Sequence, residues 1–390
     1  MLNQTGGYAT FNLQPHPPPH HVWKLFSLLY NTRLALLKMK KLISVLIGCG
    51  GIARWHLAAL AELSHVEVAA VCDLSAARAE ATAKRFRIAK WYSDYQQLLT
   101  EVKPNLVHIT TPPSSHFSIA KACLAAGLNV FCEKPITTNY QEFQELKELA
   151  TGNGCLLMEN QNFRFHSSIR RICDLLLSGK LGNLVDVQVC LSANLVAPGS
   201  PFIDRNAPHY SLALRGGAIG DYLTHIAYLT YMFTGSMIDM RTAWAKRLKD
   251  APLPATEFRA FIKGERATAY VAFNGDVRPY GFWIRVTGTQ MHVEANLYEP
   301  PRLTVRRLRN GEPAVASLID GIAESRDVLL GTVAGFWRKL GGTSNYDGLR
   351  ELIAQTYHAL ASHGSPPIAL TEIDEVARIV DGFTDVNFKL

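Results

Sequence analysis

The chain has 390 residues, 48% hydrophobic and 19% charged, and this length predicts two globular domains rather than one ordinary core. The net charge of +7 hints at nucleic acid, but Lys24, Arg33, Lys38, Lys40 and Lys41 all precede the first acid, Glu62, and account for most of it. What remains is too near neutral for a nucleic-acid footprint, and no stretch reaches the roughly 18–20 uncharged apolar residues of a membrane span. Both partners are excluded.

In chain order, residues 1–38 are expected to contribute nothing to the chemistry. Gln14 to His21 is rich in proline and histidine, a poor candidate for helix or sheet, and Val22 to Met39 has the makings of a short basic helix. A misplaced start (with Met39 the true one), a transit peptide and a disordered tail all remain open, the first being favoured. From Leu42 the chain alternates β-rich runs (Leu42–Ile47, Val66–Cys72, Leu106–Thr110, Asn129–Phe131, Leu156–Met158) with helical stretches. These stretches are Ile52–Leu63, Ser75–Phe86, Tyr95–Glu101, His116–Ala126 and Tyr140–Ala150, with Gly127 placed to end the fourth. Such alternation predicts an α/β Rossmann domain with a parallel sheet over residues 39–160.

After Ser167 the pattern changes. A helix (Ile169–Ser178), a strand (Leu184–Leu191), a polar loop and a helix (Ala218–Phe233) precede a series of strands. Those strands are Arg241–Arg247, Glu257–Ile262, Thr268–Phe273, Gly281–Val286, Met291–Leu297 and Leu303–Leu308, with helices again at Gly348–Ser362 and Ile373–Phe383. Residues 161–390 are therefore expected to form an α+β domain with a large, mostly antiparallel open sheet. An exposed sheet face would be covered by a second copy, giving a homodimer or homotetramer. The seven cysteines are odd in number, lack CxxC spacing and read as buried thiols of a cytoplasmic protein. No set of Cys and His has the spacing of a metal site.

The turn Gly48-Cys49-Gly50-Gly51-Ile52-Ala53 lies between the first strand and the first helix. There a GxGxxA string reads as a dinucleotide site: Gly48 permits the tight turn, Gly50 admits the pyrophosphate, and Ala53 allows close helix–strand packing. The pyrophosphate would sit on the helix N-terminus. Asp73, directly after the second strand, is the expected acceptor for the adenosine ribose hydroxyls, which favours NAD. Arg78 nearby keeps NADP possible. Asp73 is equally suited to cap the following helix.

Two further stretches follow predicted strands: Thr110-Thr111-Pro112-Pro113-Ser114-Ser115-His116 and Cys132-Glu133-Lys134-Pro135. Ligands of an open α/β sheet bind beyond the carboxyl ends of its strands, so Thr111, Pro112, His116, Glu133 and Lys134 join Gly48, Gly50, Gly51, Ile52, Ala53 and Asp73 as expected cofactor-site residues. Together with Gly179–Gly182 (GKLG) and Gly216-Gly217-Ala218-Ile219-Gly220-Asp221-x-x-x-His225, this order resembles the Gfo/Idh/MocA family of glucose–fructose oxidoreductase and inositol dehydrogenase. The resemblance runs over nearly the whole chain after Lys41. It implies an NAD(P)-dependent dehydrogenase or reductase of CH–OH groups in a sugar, sugar-nucleotide or cyclitol. It gives Lys134 the reacting oxygen, makes His225 the general base with Asp221 in support, and implies a cis peptide before Pro135. On a helix Asp221 and His225 share one face, so the carboxylate is placed to orient the ring.

Two positions depart from the family pattern. Leu223 stands where a glycine is usual, and Tyr228 where an aspartate is. Substrate groups are expected from Asn162 and Arg164, just after the last Rossmann strand, and from His209, within a polar loop (Pro198–Arg215) that also holds Asp204, Arg205, Tyr210 and Arg215. Other readings stay open: a non-sugar substrate such as a dihydrodiol, pigment or imine, or a non-catalytic NAD-binding regulator.

Overall fold

The computed structural model describes residues 41–204, 209–247, 253–298, 302–307, 314–340 and 347–384. The expectations for residues 1–38 and for Arg205 lie outside the described residues.

The first half is a parallel sheet. Strands β1 (Leu42–Ile47), β2 (Val66–Cys72), β3 (Lys90–Tyr92), β4 (Leu106–Ile109), β5 (Asn129–Cys132) and β6 (Leu157–Glu159) lie in the order β3-β2-β1-β4-β5-β6. Every neighbouring pair is parallel. The strands are joined by helices α1 (Ala53–Ala61), α2 (Ala76–Phe86), α3 (Tyr95–Val102), α4 (His116–Ala125) and α5 (Tyr140–Gly152). Local chemistry sets the boundaries. Asp94 and Asn139 accept backbone N–H groups at the starts of α3 and α5. Gly127, at φ 73°, follows the end of α4. The strand order reverses direction at β1, which opens a crevice between the carboxyl ends of β1 and β4.

The second sheet has seven strands: β7 (Leu184–Asn194), β8 (Met237–Ala245), β9 (Glu257–Gly264), β10 (Thr268–Asn274), β11 (Asp276–Gly288), β12 (Met291–Asn296) and β13 (Arg302–Arg307). Their order is β13-β12-β11-β7-β10-β9-β8, antiparallel except where β10 meets β7. Burial alternates along β9 and β12, the mark of a sheet packed on one face. Helices α6 (Ser167–Leu177) and α7 (Gly220–Thr234) contribute Ile169, Ile172, Leu223, Ile226 and Phe233 to the core on that face. Phe261 and Tyr270, which pair across β9 and β10, are exposed.

The packing does not divide where the sheets do. Helix α9 (Asp347–Ser362) follows the antiparallel strands in sequence, yet Leu349, Leu352, Ile353 and Tyr357 join the core of the parallel sheet. Helix α10 (Leu370–Thr384) spans both cores, with Ile373 in the first and Val376, Ile379 and Phe383 in the second. One more helix, α8 (Ala314–Leu340), is absent from the sequence expectation. Its Leu318, Ile319, Ile322, Leu329, Leu330 and Val333 are exposed.

Candidate active site

The glycine turn is built into the crevice. Gly48 has φ +102°, and a Cβ there would lie 2.6 Å from the backbone of Thr110 and Thr111. Gly50 and Gly51 face open space, with nothing within 4 Å of an added Cβ. No side chain caps α1; Ala53 N and Trp55 N bond back to Gly50 O and Ile52 O, which leaves the N–H groups of Gly51, Ile52 and Arg54 to meet an anion. Ala53 is buried behind the turn, as close helix–strand packing requires.

Asp73 does not cap α2; Ser75 does, accepting from Arg78 N at 3.4 Å. The Asp73 carboxylate instead crosses to the glycine turn and accepts Cys49 N at 2.8 Å, with Ser75 N at 2.9 Å on its other oxygen. Each oxygen keeps a lone pair for a hydroxyl donor. The Arg78 guanidinium stands 3.6 Å away and is largely exposed.

One cavity of about 1260 Å³ runs from this turn to the second sheet's helices. Of the expected site residues, Gly48, Gly50, Gly51, Ile52, Asp73, Thr111, Pro112, Glu133, Lys134, Asn162, His209, Asp221 and His225 line it. Ala53, His116 and Arg164 do not. The ring nitrogens of His116 lie 2.8 Å from Thr111 O and 2.8 Å from Pro135 O, so this side chain braces two loops from behind the wall. Arg164 is turned away toward Glu372 of α10 and Gln161.

The Lys134–Pro135 peptide is cis. The Lys134 ammonium donates to Asp221 O at 2.8 Å and to Asp221 Oδ1 at 2.9 Å, and Tyr210 OH donates to the same carboxylate oxygen at 3.2 Å. Asp221 therefore holds Lys134, not the His225 ring that helical spacing offered it. His225 Nδ1 instead lies 2.8 Å from Tyr228 OH, with Phe163 edge-on to the ring. Burial, and then the charge of Lys134, hold His225 well below the usual imidazole pKa. Burial likewise lowers His209, whose Nδ1 is 2.8 Å from Ser211 Oγ.

Sequence reasoning missed what supports Glu133. His56 Nε2 lies 2.8 Å from Glu133 Oε1, His56 Nδ1 3.0 Å from His108 Nδ1, His108 Nε2 3.1 Å from Tyr357 OH, and Tyr357 OH 2.7 Å from Ser44 Oγ. His56, His108, Tyr357 and Ser44 are completely buried. Burial and the neighbouring His56 keep His108 well below its ordinary range. Tyr357 OH donates to Ser44 Oγ, so an unbroken chain of buried hydrogen bonds runs from the Glu133 carboxylate through both imidazoles to Ser44. Asn160 Nδ2 adds a bond to Glu133 at 2.6 Å. Burial alone would raise Glu133, but the His56 bond and the charges around it outweigh that and lower its pKa. Behind it, burial pushes Glu159 up to about 7, against donors at Ile136 N and Gln161 Nε2. The available signal was polar residues inside apolar runs, as in Leu106-Val107-His108-Ile109.

Residues 43–161 match the model of an oxidoreductase family with an NAD-binding Rossmann fold. D-apiose dehydrogenase of Paraburkholderia graminis is 30% identical over 169 residues, covering 43% of this chain and 45% of that protein. Inositol 2-dehydrogenase of Salmonella typhimurium is 34% identical over 140 residues, 35% of this chain and 42% of that one. The chain thus spans about half the length, or less, of these curated relatives. A levoglucosan dehydrogenase solved with NADH and levoglucosan superposes with a TM-score of 0.71 at 18% identity, over 89% of this chain and 97% of its own. UDP-N-acetylglucosamine 3-dehydrogenase from Acidithiobacillus ferrooxidans gives 0.66 at 20% identity, over 89% and 98%. These likenesses show the two-sheet fold. Over residues 43–161 the chain is thus similar to the NAD-binding Rossmann domain of the Gfo/Idh/MocA oxidoreductases.

Proposed function

We propose that the protein is an NAD-dependent oxidoreductase acting on a secondary hydroxyl or keto group of a sugar, sugar-nucleotide or cyclitol. One observation carries this reading: a single cavity joins the glycine turn and Asp73 to Lys134, Asp221 and His225. Its volume of about 1260 Å³ exceeds the roughly 300–1,000 Å³ of ordinary ligand pockets, as a dinucleotide with a second molecule beside it requires. Gly48, Gly50 and the α1 N-terminus would hold the pyrophosphate, and Asp73 the ribose. Its carboxylate repels a 2′-phosphate and favours NAD; Arg78 leaves NADP as the second choice. When bound, the nicotinamide supplies or receives hydride. Lys134, tethered by Asp221, and His225 are the groups placed to meet the reacting oxygen. Asn162, His209, Tyr210 and Tyr298 line the same space and offer hydrogen bonds to further hydroxyls.

The polyhydroxylated substrate rests on these polar groups and on the sugar and cyclitol dehydrogenases among the relatives. The exposed Phe261 and Tyr270 support a homodimer or homotetramer through the open sheet. Free thiols, four of them buried, suit a cytoplasmic location.

The test is nicotinamide absorbance over a panel of sugars, sugar-nucleotides and cyclitols, in both directions. Lys134→Met should lower turnover by about 100-fold or more while dinucleotide affinity stays within about threefold. Dinucleotide binding without turnover on any compound would refute the enzymatic reading.

A further inference from the structure

His225 has a phenol behind it. Tyr228 is fully buried, and its oxygen already accepts the Phe163 backbone N–H at 3.2 Å. The phenol has one proton to give and two acceptors in reach: His225 Nδ1 at 2.8 Å and Asn162 Oδ1 at 3.5 Å. The second distance lies beyond a normal O–H···O bond, whereas the imidazole nitrogen is near and the better base. Donation to Nδ1 leaves that nitrogen without a proton, so the neutral ring carries its hydrogen on Nε2. Nε2 makes no hydrogen bond to a described residue, and the ring borders the cavity shared with Lys134. The Tyr228 phenol does not ionise, since burial raises it well above its usual range.

We propose that Tyr228 fixes His225 as an N–H donor toward the substrate oxygen. The proposal rests on the oxidoreductase reading and assigns His225 its role within it. In the carbonyl-reducing direction, the carbonyl carbon would gain a hydrogen with two electrons from a bound reduced nicotinamide, oxidising it. The carbonyl oxygen takes the π pair and then a proton from the Lys134 ammonium, and water reprotonates the amine afterwards. His225 keeps its proton and stabilises the charge developing on oxygen, as a neutral imidazole can. This differs from the general base that the resemblance implies. Tyr228 touches no reacting atom and is a positioning residue.

The test needs no substrate. In the full chain labelled with ring-nitrogen isotope in histidine, NMR reads the tautomer of His225, assigned by its loss in His225→Gln. At neutral pH the Nε2–H form should exceed the Nδ1–H form by about tenfold, the bias one hydrogen bond sustains; a dominant Nδ1–H form overturns the proposal. Tyr228→Glu replaces the donor with an acceptor and should drive the ring to carry a proton on Nδ1. A folded Glu variant that keeps Nδ1 bare would show that residue 228 does not set the tautomer. Should Glu prevent folding, Tyr228→Phe serves instead: the Nδ1 signal must move once the phenol proton is gone, and an unmoved signal overturns the proposal. NAD titration of the same samples tests the oxidoreductase reading separately, so failure of one is distinguishable from failure of the other.

Discussion

Gly48 and Gly50 stand two residues apart and should fail in opposite ways when replaced by alanine. At Gly48 the added Cβ meets the Thr110 carbonyl carbon and the Thr111 nitrogen at 2.6 Å, and φ is +102°. Neither atom belongs to a flexible side chain, so the end of β4 must retreat from β1 by the better part of an ångström. Overpacking and left-handed strain together cost about 3 kcal/mol, or roughly 5–10 °C in Tm for a chain of this size. At Gly50 nothing lies within 4 Å. Alanine there should leave stability within about 0.5 kcal/mol. Its methyl would occupy the space proposed for the pyrophosphate, weakening NADH binding by at least about tenfold. Thermal unfolding and NADH titration of both variants decide the matter. A Gly48→Ala protein as stable as wild type, or a Gly50→Ala protein that binds normally, would refute the reasoning.

Other outcomes follow from the same geometry. Asp73→Ser removes the carboxylate beside Arg78 and should shift preference toward NADP by about tenfold, measured as the ratio of the two dissociation constants. Tyr357→Phe strips His108 and Ser44 of a partner in a fully buried site; calorimetry should show a loss of about 1–3 kcal/mol, and an unchanged melt would mean the relay does not stabilise the fold. For Glu159, burial raises the native pKa from 4.5 to about 7, so the folded state holds a proton that the unfolded state has lost between those values. That contribution is complete below the lower value and disappears as pH rises through the upper one. Denaturant titrations should therefore show wild type losing roughly 2–3 kcal/mol relative to Glu159→Gln between pH 4.5 and 8, with parallel curves as the contrary result.

Much of the fold is legible because local periodicity and turn chemistry agree with the tertiary structure. Leu42–Ile47 and Val66–Cys72 are strands over the expected residues, and Tyr140 begins α5 as expected. The misses have physical causes. Lys90–Tyr92 is too short to show a period. Helix α8 does carry apolar residues at helical spacing, but they are exposed, and spacing alone cannot say what a stripe faces. At the site, the turn and Lys134 could be placed because each closes a strand. The partners of Asp221 and His225 could not, because i,i+4 spacing offered Asp221 to His225, whereas folding brings Lys134 to Asp221 across 87 positions. The relay behind Glu133 is further still from sequence view, since it joins Ser44 to Tyr357.

That last link bears on the order in which the molecule can assemble. All six strands of the parallel sheet have been synthesised by Glu159, yet Leu349, Leu352, Ile353 and Tyr357, which pack into its core, emerge almost two hundred residues later. Until they arrive, Ser44 and His108 lack the hydroxyl of Tyr357, and α1 lacks its contacts with α9. Contacts this distant in sequence are slow to form, because the intervening chain must be ordered first. A nascent chain at that stage exposes apolar surface on the very domain whose strands are already complete. The C-terminal helices therefore act as a closing clasp, and the dinucleotide half of the protein is finished last, although it is made first.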